Sequence, residues 1–192
     1  MLFKSFIPAL WKIFNGNLLL LICIIFYLAW WIVTFKPGKA NRFRQAFFIW
    51  VAFIAGILSI LSIAAGIAEL GREPWILPVN FILIGAVLFF LIVLAITTKA
   101  YHRQLTSELI IIHIWAVLEI AMIDILYSRA YISHAAAWIY SGLVAISIAA
   151  SLFCYVVYYR LYEEARYKIG MIPLALAGLC SIVLMMMLLV GW

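Results

Sequence analysis

Charged residues are scarce in this chain: only 10% of its 192 residues are Asp, Glu, Lys or Arg, while 70% are apolar. A soluble domain is about a quarter charged and about half apolar. A soluble fold of this length could not hide so much apolar surface from water, so lipid must cover part of it. Cysteine is nearly absent as well. Cys23, Cys154 and Cys180 each lie inside an apolar run and none belongs to a C-x-x-C pair, so they read as small buried hydrophobes. Neither a disulfide framework nor a thiolate metal site is indicated. No low-complexity stretch or Gly/Ser linker divides the chain, which reads as one transmembrane domain over residues 1–192. Also missing are G-x-S-x-G, H-E-x-x-H, P-loop and G-x-G-x-x-G motifs, and no span holds a lysine able to form a retinal Schiff base.

What the chain does have is long apolar runs. A membrane span needs about 20 predominantly apolar residues. Six such runs are present, at about residues 17–35, 46–69, 79–98, 105–127, 134–158 and 169–190. They are about twice the length of barrel strands and do not alternate. The sequence therefore predicts an all-α polytopic integral membrane protein, a compact bundle of about six transmembrane helices. Short loops marked by Lys36-Pro37-Gly38-Lys39, Gly71-Arg72-Glu73-Pro74 and similar turns make sequential helices antiparallel neighbours. The first run is too long for a signal-peptide core, and no small-residue cleavage site follows it, so it reads as a retained span. Residues 1–14 interleave aromatics with Lys4 and Lys12. They predict a short amphipathic interfacial helix that turns into the bilayer at Asn15-Gly16-Asn17. The alternative is an extension of the first span.

The formal net charge is +6. The basic residues sit at span ends, where they orient helices and meet lipid headgroups, so nucleic acid is not an expected partner. The first, third and fifth loops carry nine of them (Lys36, Lys39, Arg42, Arg44, Lys99, Arg103, Arg160, Arg166 and Lys168). The other side carries four: Lys4, Lys12, Arg72 and Arg129. This bias predicts a multi-pass protein of the cell membrane with odd-numbered loops in the cytoplasm and both termini outside. Tryptophans and tyrosines near span ends, such as Trp30, Trp31, Trp50, Trp138 and Tyr158, fit an aromatic belt. Small residues at four-residue spacing, Ser141, Ala145 and Ala149 on the fifth span with Ala52 and Gly56 on the second, predict close helix packing within or between chains. Arg160, Glu164 and Lys168, each four apart, predict that the fifth helix continues into the cytoplasm.

The fourth span carries the unusual chemistry: Glu108, His113, Glu119 and Asp124 in an otherwise apolar helix. Each such group costs about 2.5–3.5 kcal/mol on insertion scales, and such groups commonly face the bundle interior and mark ion or substrate paths. Glu108 suits the first helical turn beside Lys99 and Arg103, and Asp124 lies near Arg129 at the other end. His113 and Glu119 fall near the middle. Residues 11 apart nearly share a face, since 11 steps of 100° exceed three turns by about 20°. Glu108 and Glu119 therefore share one face and His113 and Asp124 another, which predicts a central helix. No two of the four are three or four apart, so no metal site or haem is expected from this helix. No cofactor is implied.

A carboxyl able to take up and release a proton inside the membrane is what proton coupling requires. The leading expectation is a small transporter or channel-like protein for a small solute or ion, with Glu119 and His113 as its protonatable centre. Glu108 and Asp124 would guard the two ends. Polar residues elsewhere, including Asn80, Thr97, Thr98, Ser59, Ser62 and Tyr140, are available to such a path. The second expectation is an integral membrane enzyme acting on a lipid or isoprenoid, with Glu119 as general acid or base. The third is a non-catalytic subunit or sensor. A six-helix bundle is small enough to dimerise.

Overall fold

A computed structural model describes residues 8–35, 42–70, 88–89, 91–96, 99–100 and 107–190; of Ser107, Glu108, Tyr159 and Glu163 it describes the backbone alone. The described residues are almost entirely helical, with no strand among them. It forms α1 (Pro8–Phe35), α2 (Arg42–Leu70), α3 (Ser107–Ser128), α4 (His134–Val157) and α5 (Glu163–Val190), with a 3-10 turn at Tyr158–Arg160. All five helices are long and apolar enough to cross a membrane. Their outward faces carry bare apolar side chains, such as Ile139 and Ile146, 66% and 68% exposed. Water would not tolerate that surface, whereas lipid does. The protein is a polytopic helical membrane bundle.

Helices α1 and α2 pack antiparallel along a seam of small residues. Gly16 lies against the Ile63 backbone, Gly66 lies against the backbone of Ala9 and Ile13, and Gly56 meets Cys23. Ser59 Oγ donates to Gly16 O at 2.8 Å and Ser62 Oγ to Lys12 O at 2.7 Å. Lys12 and Glu69 close this end with a 2.6 Å ion pair. Here the expected turn at Asn15-Gly16-Asn17 is corrected: one helix runs from Pro8 through all three residues. Asn17 keeps its place in the helix by donating its side-chain amide to Ile13 O at 3.0 Å, and Gly16 serves close packing instead of a bend. Residues 1–7 of the expected interfacial helix lie outside the described residues. Arg72 and Glu73, close to Glu69 in sequence, also lie outside them.

Helix α5 runs antiparallel to α1, with Gly170 against Trp31, and Gly178 against Leu21 and Ile24. Trp31 Nε1 donates to Tyr167 O at 3.2 Å, so this tryptophan anchors two helices as well as sitting near a span end. The chain leaves α2 beside Lys12 and enters α3 at the opposite end, since Met122 near the finish of α3 meets Asn17. Helical residues 88–89 and 91–96 fall within the third expected span, residues 79–98, the remainder of which lies outside the described residues. Both the start of α1 and the finish of α5 fall at one end of the bundle.

The turn between α3 and α4 is tightly defined. Tyr131 N–H donates to Leu126 O and Ala130 N–H to Tyr127 O, both at 2.9 Å, with Ala130 at φ 55. This is a Schellman cap with alanine where glycine is usual. Ser133 then caps α4, accepting from Ala136 N–H at 3.2 Å. Left-handed backbone costs a side-chain-bearing residue about 1–2 kcal/mol. Part of that is offset by the greater unfolded-state freedom of glycine. Ala130→Gly should therefore stabilise the protein by about 0.5–1 kcal/mol, seen as a higher unfolding temperature in detergent. A lower temperature would show that the alanine methyl packs usefully.

The fifth span does not continue as a cytoplasmic helix. Leu161 is extended, at φ −102 and ψ 158, and α5 begins at Glu163 rather than near residue 169. Arg166 Nε donates to the Leu161 carbonyl at 2.8 Å, which holds the break. Arg160 and Glu164 therefore stand on different elements, while Lys168 and Glu164 do pair at 3.1 Å on α5. The small-residue face of α4 does not pack within the chain: Ala145 and Ala149 are exposed, and no atom comes within 4 Å of a Cβ built on Gly142. The face turned inward carries Tyr140, Val144, Ser147 and Ser151. On α2, the small residues Ala52, Gly56 and Gly66 do pack within the chain.

Candidate functional site

Helix α3 presents an inward face made of Trp115, Glu119, Met122 and Leu126, spaced by four, three and four residues. Glu119 is completely enclosed, 0% exposed. It stands nine residues before the end of α3, about 14 Å along the axis, and so deep in the bilayer rather than at headgroup level. Its Oε2 accepts from Tyr140 Oη on α4 at 2.7 Å, a strong O–H···O distance. Tyr140, also fully buried, lies 3.1 Å from the Cys180 carbonyl on α5. Three helices thus meet at one hydrogen-bonded junction.

Proton counting makes this junction chemically interesting. The phenol has one proton and faces two acceptors, the Glu119 carboxyl and the Cys180 carbonyl. With Glu119 ionised, the phenol is shared between them. With Glu119 protonated, the acid can donate to the phenol oxygen and the phenol to Cys180 O. Two protonation states therefore correspond to two hydrogen-bond patterns in nearly the same geometry. Among the described residues, the second carboxyl oxygen, Oε1, and the buried Nε1 of Trp115 one turn earlier on α3 have no partner in full hydrogen-bond geometry, although the indole N–H is near enough to favour the carboxylate. Unpaired polar atoms in such a place are expensive, and they are a common mark of a working site.

Polar groups continue from the junction along the α4–α5 seam. Ser147 Oγ lies 3.4 Å from Cys180 Sγ. Ser151 is buried one turn further on, and on α5 Ser181 is buried and donates to Ala177 O at 3.2 Å. Tyr140, Ser147 and Ser151 follow the spacing of one inward stripe and span about 16 Å of helix. On the other side, Asn17 of α1 is fully buried, donates to Met122 Sδ at 3.5 Å, and leaves its Oδ1 unpaired.

The four residues singled out by sequence do not come together. His113 is half-buried and stacks on Phe89, ring centroids 5.6 Å apart and planes 15° apart. Six residues from Glu119, it points about 120° away around the helix and lies about 9 Å along it. Asp124 shares the side of His113, is half-buried, and has an enclosed Oδ2 with no hydrogen bond. The side chain of Glu108 lies outside the described residues. Helix α3 is therefore closed on its Glu119 face and half-open on its His113–Asp124 face, where Ile110 and Ile120 are exposed. Among the described residues no group of three His, Cys, Asp or Glu is placed to hold a metal ion.

Comparison with protein-family models, with curated proteins and with solved structures found no match. Function must therefore be argued from this junction itself. In the sequence Glu119 stands out by its isolation in an apolar span, while Tyr140 is one polar residue among several, Asn17 sits in a turn signature and Cys180 has the look of a small buried hydrophobe. A polar residue at heptad spacing from buried serines, as Tyr140 is from Ser147, was the signal available.

Tyr140→Phe isolates the structural value of the contact. The carboxyl would lose the phenol's hydrogen bond while remaining enclosed, at a penalty of about 1–3 kcal/mol. The unfolding temperature in detergent should fall accordingly, with helicity unchanged. An unaltered temperature would mean that water or another group replaces the phenol without loss.

Proposed function

We propose that the chain is a small proton-coupled membrane transporter or channel-like protein, with the Glu119–Tyr140 pair as its protonatable centre. The observation that carries this reading is the enclosed carboxyl at a three-helix junction, hydrogen-bonded through Tyr140 to the Cys180 carbonyl. An ionisable group kept at that depth for packing alone would be a poor choice, since an apolar residue fills space without the insertion penalty. A proton on Glu119 changes which partner each oxygen serves, so protonation can bias how α3, α4 and α5 hold one another. The hydroxyls of Ser147 and Ser151 extend the polar line from there along α4. His113 belongs to a second, separate face, and Glu108 and Asp124 stand toward the two ends of α3, where they would meet ions entering or leaving.

Depth favours transport over the alternative of an enzyme acting on a lipid or isoprenoid. Such an enzyme places its polar groups where headgroups reside, and Glu119 is about 14 Å from the helix end. We further place the end carrying Arg42, Lys99, Arg160 and Lys168 in the cytoplasm of a cell membrane, on the charge bias. The test is flux in liposomes holding a pH-sensitive dye, under an imposed pH gradient and with candidate small solutes. The wild-type protein should carry protons or solute, and Glu119→Gln should reduce the rate to that of empty vesicles.

A further inference from the structure

The corner between α3 and α4 holds a histidine with both ring nitrogens in use. Trp138 Nε1 donates to His134 Nε2 at 2.9 Å, and Tyr127 Oη lies 3.0 Å from His134 Nδ1. An indole N–H can only donate, so Nε2 must present a lone pair. The imidazole is therefore neutral, with its proton on Nδ1, and that N–H donates to Tyr127 Oη. The rings stand side by side, with centroids 5.6 Å apart for Tyr127 and His134 and 6.0 Å apart for His134 and Trp138. His134 opens α4, Trp138 follows one turn later, and Tyr127 is next to last on α3. His134 is exposed, as are Tyr127 (38%) and Trp138 (67%), so protons at the membrane interface can reach the ring.

We infer that this corner is an acid-sensitive latch, in which protonation of His134 releases the Trp138 indole while Tyr127 stays bound. The incoming proton has one place to go, Nε2, which lies 2.9 Å from the indole nitrogen. Two N–H donors then face each other with no acceptor between them, and that bond is lost. The Nδ1–H bond to Tyr127 survives and becomes charge-assisted. The new cation also stands in the first turn of α4, where the positive end of the helix dipole opposes it. The freed indole N–H has the ester and phosphate oxygens of the bilayer interface to donate to. Among the described residues, the other titratable side chains of the corner are Arg129 and Tyr131, and Arg129 has a partner of its own. Asp124, one turn before Tyr127, is the nearest carboxyl along α3. The last turn of α5, through Leu188, Leu189 and Val190, carries no ionisable group. At this end of α1 and α2, Lys12 and Glu69 pair with each other at 2.6 Å. The latch lies apart from the Glu119 junction and does not depend on the transport reading.

The test is nitrogen-15 NMR of the full chain in lipid nanodiscs, with tryptophan and histidine rings labelled, titrated from about pH 8 to about pH 5, the range in which imidazole changes charge. Trp138→Phe identifies the indole signal. At the alkaline end the His134 ring should show its proton on Nδ1. On acidification the Trp138 N–H signal should leave its hydrogen-bonded position in a single step, together with the His134 ring signals. His134→Gln should abolish that step. Tyr127→Phe removes the group that holds the proton on Nδ1, so the Trp138 signal at the alkaline end should already lie partway to its acid position. Helicity confirms folding. If a variant fails to fold, the wild-type signals decide alone, since the His134 ring is assigned by its proximity to the Trp138 ring. A Trp138 signal that stays fixed throughout, a step that persists in His134→Gln, or a neutral His134 with its proton on Nε2 overturns the inference. So does a Tyr127→Phe variant whose Trp138 signal matches the wild type at the alkaline end.

Discussion

Vesicles carrying Glu119→Gln should pass no more protons or solute than empty ones, while the protein itself unfolds at or above the wild-type temperature. Glutamine has the shape of a protonated glutamate. Its carbonyl can accept from Tyr140 Oη as Glu119 Oε2 does at 2.7 Å, so the junction of α3, α4 and α5 stays built. What is removed is ionisation alone. The insertion penalty of an acid at mid-span, about 2.5–3.5 kcal/mol, is reduced for an amide, which is why stability should hold or rise. Glu119→Leu makes the complementary case: it removes the acceptor, yet the phenol keeps the Cys180 carbonyl 3.1 Å away. It too should fold and be inactive. Wild-type flux in either folded variant would sink the transport reading and leave Glu119 as a structural tie.

The largest loss of stability is expected from Gly66→Val. A Cβ at Gly66 would stand 2.9 Å from Ala9 O and 3.1 Å from Ile13 N, both backbone atoms of α1, and 2.7 Å from Ile13 Cγ1. A side chain can rotate aside, but a backbone cannot, so α1 and α2 must part. Overpacking of this kind costs about 1–3 kcal/mol. Parting the helices also threatens the Ser59–Gly16 and Ser62–Lys12 bonds, worth about 0.6 kcal/mol each inside a membrane. A total near 3 kcal/mol is expected, measured as a shift in unfolding midpoint in detergent. Gly178→Ala is the control, because its Cβ would find Leu21 Cδ1 at 3.6 Å, an ordinary contact. Equal stability of the two variants would show that α1 and α2 are not pressed together as described.

The spans were legible in the sequence for a simple reason: hydrocarbon thickness dictates their length, and each apolar run announces itself without knowledge of its neighbours. Glu119 was legible for the same reason, as an acid where acids are penalised. The inward face of each helix was harder to read. In a soluble helix the polar side marks water, but lipid is as apolar as a protein core, so the pattern loses its contrast. That is how Ser141, Ala145 and Ala149 came to suggest the packed face of α4, when the stripe packed within the chain is the neighbouring one, through Tyr140, Val144, Ser147 and Ser151. The same blindness hid the Glu119–Tyr140 pairing, which depends on how two helices are rotated. At Asn15-Gly16-Asn17 a turn signature was present, but the tertiary contact of Gly16 with Ile63 overrides it. Leu161 errs the other way: charges four apart suggested a continuous helix, and the chain breaks there to double back as α5.

The enclosed side chains are not spread evenly along the bundle. The contiguous core draws on Ala9, Leu10 and Ile13 of α1 and Ile63, Ile67 and Leu70 of α2. It adds the early turns of α4 and the late turns of α5, all at one end. Among the described residues, the other end has a few enclosed groups, such as Cys154 and Tyr155. Spreading the helices there disturbs fewer contacts than spreading them beside Gly16 and Gly66. What ties that end is Trp31, whose ring lies against Gly170 and whose Nε1 donates to Tyr167 O at 3.2 Å, so one aromatic side chain of α1 fastens α5 where the enclosed core thins out.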